Sequence, residues 1–193
     1  MRDARTEHRY TPFFCEENVW WLAHERRHAS SGQVTGWVCL FTNDTASIAV
    51  MNQHAAPATT LMAWDYHVVL AVPQDGVMQV FDLDSRLPFP SPWSAYFRGT
   101  FPNQPALPPR WRTRLRQVPV GAYLDRFCSD RHHMQGKLPA TAFPDYPPLC
   151  PQDRSIAIVL QDYLDLDRGL DDGSRVGSVD QAMEGPLCAP STG

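Results

Sequence analysis

The sequence predicts one mixed α/β domain organised around an antiparallel hairpin whose two faces are both covered. Three observations lead there. The chain has 193 residues, 43% hydrophobic and 11% aromatic, enough for a sizeable single core. Residues 64–90, WDYHVVLAVPQDGVMQVFDLDSRLPFP, read as two β-strands joined by a four-residue turn. Both faces of this hairpin are largely apolar. One carries His67, Val69, Ala71, Met78, Val80 and Asp82; the other carries Val68, Leu70, Val72, Val77, Phe81 and Leu83. A sheet exposed on one side would alternate more sharply.

Around this hairpin the elements follow in order. Residues 1–12 are polar and basic and read as a loose lead-in. Val19, Leu22, Ala23 and Arg26 fall on helical spacing, and Glu16 and Glu17 suit a first turn. A helix is therefore expected from Glu16 to His28, ended by Ser30-Ser31-Gly32, with Cys15 at its N-terminus. Gly36 to Phe41 and Ser47 to Met51 read as strands around a Thr42-Asn43-Asp44 turn, and Asn52 to Thr60 as a loop. Beyond the hairpin come a short helix from Trp93 and a proline-rich loop from Thr100 to Arg110. Arg112, Arg114 and Arg116 alternate with uncharged residues, which predicts an edge strand with one basic face. Ala122 to Cys128 is helical in spacing, residues 135–154 form a proline-dense connection, and Ile156 to Leu164 reads as helix. The tail, residues 165–193, is poorly patterned, and part of it is expected to be disordered.

Composition excludes several classes of function. The net charge of −4 leaves no basic stripe for nucleic acid. No apolar run approaches the ~20 residues that cross a bilayer. The start, MRDARTEHRY, lacks the apolar segment of a secretory signal. Five cysteines without framework spacing point to reduced thiols and a cytoplasmic protein, with the nucleus as a second compartment in a eukaryote.

The chemistry gathers on the hairpin. If Pro73-Gln74-Asp75-Gly76 is the loop, Val72 pairs with Val77, and His67 stands opposite Asp82 at a Cβ separation of about 5 Å. A carboxylate there can orient an imidazole, which leaves a nucleophile to be found. Cys15 is the best thiol, because a helix N-terminus favours the attacking thiolate and an imidazolium partner would outweigh Glu16 and Glu17. Cys39 lies within an apolar strand, Cys128 ends a helix, and Cys150 and Cys188 lie in loops. A buried core thiol and a structural histidine are the bland readings of Cys15 and His67. The same register sets Asp65 opposite Asp84, two carboxylates that either splay apart or hold an amine between them. Cys128, His132, His133 and Cys150 lack the paired spacing of a zinc site, so no metal or other cofactor is expected.

Four blocks, CEENVW at 15–20, WDYHVV at 64–69, DLDSRLPFP at 82–90 and SDRHHM at 129–134, resemble in order and spacing the protein N-terminal glutamine amidohydrolase family, the WDYHV-motif proteins. The likeness covers roughly residues 10 to 150 and weakens after Cys150. It implies a single α-β-α sandwich with a mainly antiparallel sheet, related to transglutaminase and papain-like cysteine enzymes. It implies deamidation of an N-terminal glutamine side chain to glutamate with release of ammonia, in eukaryotes a step towards arginylation and degradation. It places the family's catalytic cysteine, histidine and aspartate on Cys15, His67 and Asp82. The expected partners are proteins or peptides beginning with glutamine, and the expected state is a monomer. Reading the free α-amine requires a carboxylate or converging carbonyls near the thiol; Glu16, Glu17, Asp65 and Asp130 are the candidates, with Trp64 and Trp20 as walls. The competing readings are a related cysteine hydrolase or acyltransferase, and a module that binds N-terminal glutamine without converting it.

Overall fold

The computed structural model describes residues 4–187, apart from residues 31 and 33. In chain order its elements are α1 (Cys15–Ala29), β1 (Trp37–Thr42), β2 (Ile48–Val50), β3 (Met62–Trp64), β4 (His67–Gln74), β5 (Val77–Phe81) and β6 (Ser91–Pro92). There follow α2 (Trp93–Thr100), β7 (Arg114–Pro119), α3 (Val120–Arg126), β8 (Phe127–Cys128), β9 (Ile158–Val159), α4 (Leu160–Leu164), β10 (Arg175–Ser178) and α5 (Val179–Ala182). A six-stranded sheet in the order β10-β7-β1-β4-β5-β6 is antiparallel throughout. β2 pairs with β3 and β8 with β9 in small separate ribbons.

The apolar character of both hairpin faces is explained by two cores. Val68, Leu70, Val72 and Phe81 pack with Val19, Leu22 and Ala23 of α1 and with Val120, Tyr123 and Leu124 of α3. Val69, Ala71 and Val80 pack instead with Trp93, Tyr96 and Phe97 of α2 and Val179 and Ala182 of α5. Helices therefore cover both faces of the sheet. Gly36 enters β1 with φ +132°, and a Cβ there would collide with the carbonyl oxygen of Ala71. Only glycine lets these two backbones approach.

The hairpin turn is shorter than the sequence suggests. Gln74 pairs with Val77 and Pro73 with Met78, leaving Asp75-Gly76 as a two-residue turn with φ of +51° and +78°. Positive φ at both central residues is the geometry that follows the natural twist of paired strands, and Asp-Gly suits it. The ladder thus slips by two residues, and Val72 faces Gln79 rather than Val77. A two-residue slip preserves which side chains share a face.

Elsewhere the structure adds order. Arg116 is buried, and its guanidinium donates to the carbonyls of Tyr163, Asp165 and Arg168 and to Ser174 Oγ. β7 is not an edge, because β10 pairs along it, and Arg116 is an internal clamp rather than part of a basic face. That clamp draws the 163–174 segment onto the sheet, so the tail contributes a strand and a helix. Cys188 lies outside the described residues. Ile156 to Leu164 divides into the end of a 3-10 turn, β9 and α4, so the helix runs through Gln161, Asp162 and Tyr163 but covers only the second half of the segment. The lead-in also has partners: Arg5 donates to the carbonyl oxygen of Leu87, and Thr11 N–H to Asn18 Oδ1. Cys128 and Cys150 are joined in a disulfide across 22 residues, against the expectation that all thiols are reduced.

Candidate active site

The site grows from one hydrogen bond. His67 opens β4 and is fully buried; its Nε2 lies 2.9 Å from Asp82 Oδ2, just beyond the end of β5. With the observed register, His67 and Asp82 sit diagonally rather than directly opposite, yet on the same face and within side-chain reach. Tyr96 Oη donates to the same Asp82 oxygen at 2.8 Å, and the Asp84 N–H donates to Oδ1 at 2.9 Å. Burial alone would raise the Asp82 carboxyl; the His67 charge and these hydrogen bonds hold it below its ordinary value. Burial likewise opposes an imidazolium, but the Asp82 charge and hydrogen bond outweigh it and leave His67 raised. The Trp64 ring meets the imidazole edge-on at 4.6 Å between centroids. His67 Nδ1 is buried without a hydrogen-bond partner among the described residues. An oriented imidazole with one nitrogen unoccupied can accept or deliver a proton.

Cys15 is the first residue of α1, after Phe14, whose side chain makes no capping bond. Its thiol is raised well above the ordinary value. Burial is the main cause, followed by the negative charges of Glu16 and Asp84; the Val68 N–H, next to His67, works the other way. The helix terminus therefore does not lower the thiol as the sequence argument expects, because burial, and after it Glu16, outweigh it.

Those carboxylates have separate fates. Glu17 is bound by Arg131, with Nε at 2.7 Å and Nη2 at 2.9 Å, and by Ser129 Oγ at 2.5 Å. Its charge is used inside the protein, in a bidentate pair that keeps a buried carboxylate tolerable. Glu16 accepts from Tyr66 Oη at 2.8 Å and lies 3.6 Å from His133 Nε2. Burial pushes its carboxyl up to about 8.

A cavity of about 420 Å³ opens beside the thiol. Cys15, Tyr10, His54, Trp64, Asp65 and Asp84 contribute to its walls. Of the substrate-binding candidates, Asp65 and Trp64 line it directly. Asp65 is largely exposed and lies 3.9 Å from Lys137. Glu16 touches the thiol from behind, with Sγ 3.8 Å from Oε2. Glu17 and Asp130 are not among the wall residues; Asp130 caps the His132 N–H at 2.9 Å.

Tyr10 and Tyr96 are the site residues that sequence reasoning missed. Tyr96 lies on a separate helix, with nothing in its spacing to mark it. Tyr10 stands in the stretch read as a loose lead-in. Asp84 is legible as one of two carboxylates that could hold an amine, but the observed register, continued, does not set it across from Asp65.

His67, Asp82 and Asp84 bring ligand-type atoms within 4.8 Å of one another, close enough to consider a metal ion. Both Asp82 oxygens are already engaged, by His67, Tyr96 and the Asp84 N–H, and a cation there would have to displace them. The Cys128, His132, His133, Cys150 set does not converge. The two cysteines bond to each other, His133 faces Tyr66 and Glu16, and His132 is 77% exposed.

A sheet covered on both faces, with a cysteine on the wall of a cavity and a buried histidine held by a carboxylate, defines an α/β protein with a pocket at one end of its central hairpin. Comparison narrows the class: the model of the N-terminal glutamine amidase family matches residues 10–184, and the chain belongs to that family. The human protein N-terminal glutamine amidohydrolase is 30% identical over 160 residues, 82% of this chain and 78% of its own length. The zebrafish (Danio rerio) protein of the same name is 33% identical over 144 residues, 70% of each chain. The cattle (Bos taurus) protein is 34% identical over 128 residues, 65% of this chain and 62% of its own length.

Proposed function

We propose that this protein hydrolyses the side-chain amide of an N-terminal glutamine to glutamate, releasing ammonia, with Cys15 as nucleophile, His67 as acid–base and Asp82 as its orienting partner. The observation that carries this reading is the family match joined to the buried His67–Asp82 pair, whose free Nδ1 belongs to the residue next to the N–H that acts on Cys15. In this reading the Cys15 proton passes to His67 Nδ1 as sulfur attacks the amide carbon. The oxyanion is held by N–H groups at the start of α1, that of Cys15 included. His67 then returns the proton to the departing nitrogen, ammonia leaves, and a γ-glutamyl thioester remains. Water, deprotonated by the same imidazole, attacks the thioester; glutamate leaves and the thiol is restored.

We assign the fold to the transglutaminase and papain-like type, on the support of a cysteine-bearing helix packed against an antiparallel strand that carries the histidine. The expected substrates are proteins and peptides beginning with glutamine, acted on by a monomer. Incubation with a Gln-initiated peptide should release ammonia and convert the amide to the acid by mass. A protein that binds the peptide and leaves it intact sinks the reading. The raised Cys15 thiol favours a second reading, a module that binds without converting, and the same incubation separates the two.

A further inference from the structure

We propose that Asp84, held by Tyr10, is the residue that reads the free α-ammonium group of the substrate, so that specificity for the chain terminus resides in this carboxylate. The inference rests on the cavity beside Cys15 being the substrate site proposed above.

Asp84 and Cys15 line the same cavity. In an N-terminal glutamine the α-nitrogen and the amide carbon are separated by four bonds, on the order of 5 Å when extended. A side chain placed with its amide at the thiol therefore carries its ammonium only a short way across the cavity. Asp84 is positioned to meet it. Its backbone is fixed on both sides, with its N–H on Asp82 Oδ1 and its carbonyl accepting the His54 N–H at 2.8 Å. Its carboxylate accepts a 2.6 Å hydrogen bond from Tyr10 Oη.

The alternatives are weaker. Glu17 already holds Arg131, Asp130 is not in the wall, and Glu16 is not in the wall either and accepts from Tyr66 Oη. Asp65 lines the cavity but is 74% exposed, where water screens a charge pair.

The placement also couples Asp84 to the thiol. Asp84 is raised by burial and by Asp82, and it in turn disfavours the Cys15 thiolate. A cation docked on Asp84 would remove that part of the opposition, while burial and Glu16 continue to act on the thiol. An internal glutamine, or an acetylated one, brings no cation to Asp84.

The test is a binding comparison in the Cys15→Ala protein, which cannot turn over. A short Gln-initiated peptide and its N-acetylated form are titrated calorimetrically into Cys15→Ala and into Cys15→Ala/Asp84→Asn. The single variant should prefer the free amine by on the order of 10²-fold, and the double variant should lose that preference. A preference that survives Asp84→Asn, or one that disappears instead with Asp65→Asn, overturns the assignment. Turnover is read separately in the wild type. If that protein leaves the Gln-initiated peptide unconverted while Cys15→Ala prefers it through Asp84, the catalytic reading fails and the amine-reading role stands. In otherwise wild-type protein, Asp84→Asn should speed alkylation of Cys15 by iodoacetamide at pH 8. Slower alkylation contradicts the coupling between the two groups.

Discussion

His67 and Asp82 share a 2.9 Å hydrogen bond although they do not face one another across the β4–β5 ladder. The pair is diagonal, on the face that points towards α2, and Tyr96 of that helix completes the carboxylate's hydrogen bonds. The imidazole is thus oriented by Asp82, and Asp82 in turn by the helix beyond it.

Replacing Asp82 with Asn should keep the fold and lower turnover by about 10²–10⁴-fold, because the amide cannot hold the imidazolium. Asp84→Asn should cost less with saturating substrate and more in kcat/KM. Equal losses in both parameters at position 84, larger than at 82, would transfer the orienting role to Asp84.

Cys15→Ala should abolish deamidation while leaving the thermal midpoint within a few degrees, since Cys15 joins the core only at its cavity edge and the change removes one sulfur atom. A loss of three orders of magnitude or more is the expected size for a nucleophile. Retained turnover would move the chemistry to another residue.

Glu16 gives stability a pH dependence. Its carboxyl deprotonates near 4.5 in the unfolded chain and near about 8 in the folded protein, so between these values the folded state carries the extra proton. This stabilising contribution is complete below 4.5, declines as pH rises towards 8, and is gone above it, with a slope of up to roughly 1.4 kcal/mol per pH unit. Denaturation midpoints of Glu16→Gln from pH 5 to 9 should lack that slope. An unchanged slope would place the titration elsewhere.

Arg131→Ala leaves the buried Glu17 carboxylate without its bidentate partner and should destabilise by about 3–5 kcal/mol. The double change to Arg131→Met with Glu17→Gln should recover much of the loss. Chemical denaturation of the single and double variants measures both.

Reduction of the Cys128–Cys150 disulfide releases a connection that carries Ser129 and Arg131 to Glu17 and His133 to Tyr66. The expected loss of stability is about 3 kcal/mol for a loop of this size. Turnover should fall with it, as the wall residue Met134 lies on the same connection. A reductant titration followed by melting and activity would show both changes, and an unaffected melting curve would contradict the role.

Local periodicity does not choose Asp82 over Asp84, since the observed register, continued, sets Asp84 across from His67. It does give the α1 helix, the β4–β5 hairpin and a shared face for His67, Asp82 and Asp84, and a two-residue alternation survives a two-residue error in register. That is why a turn read as four residues and observed as two still left the correct side chains on one face. The identity of Cys15 as the helix-terminal thiol is equally local. The family was legible too, because its four motifs are contiguous blocks.

What only the tertiary structure decided is where charge comes to rest. Glu16 and Glu17 are adjacent in sequence and alike in chemistry, yet one is held by Arg131, more than a hundred residues away, and the other is left to gain a proton. The sign of the Cys15 shift, the burial of Arg116, and the meeting of Tyr10 with Asp84 are of the same kind. Local pattern states which residues share a face, because backbone geometry repeats over a few residues. Desolvation and Coulomb energies depend on which distant groups surround a charge, and those are brought together only when the chain has closed on itself.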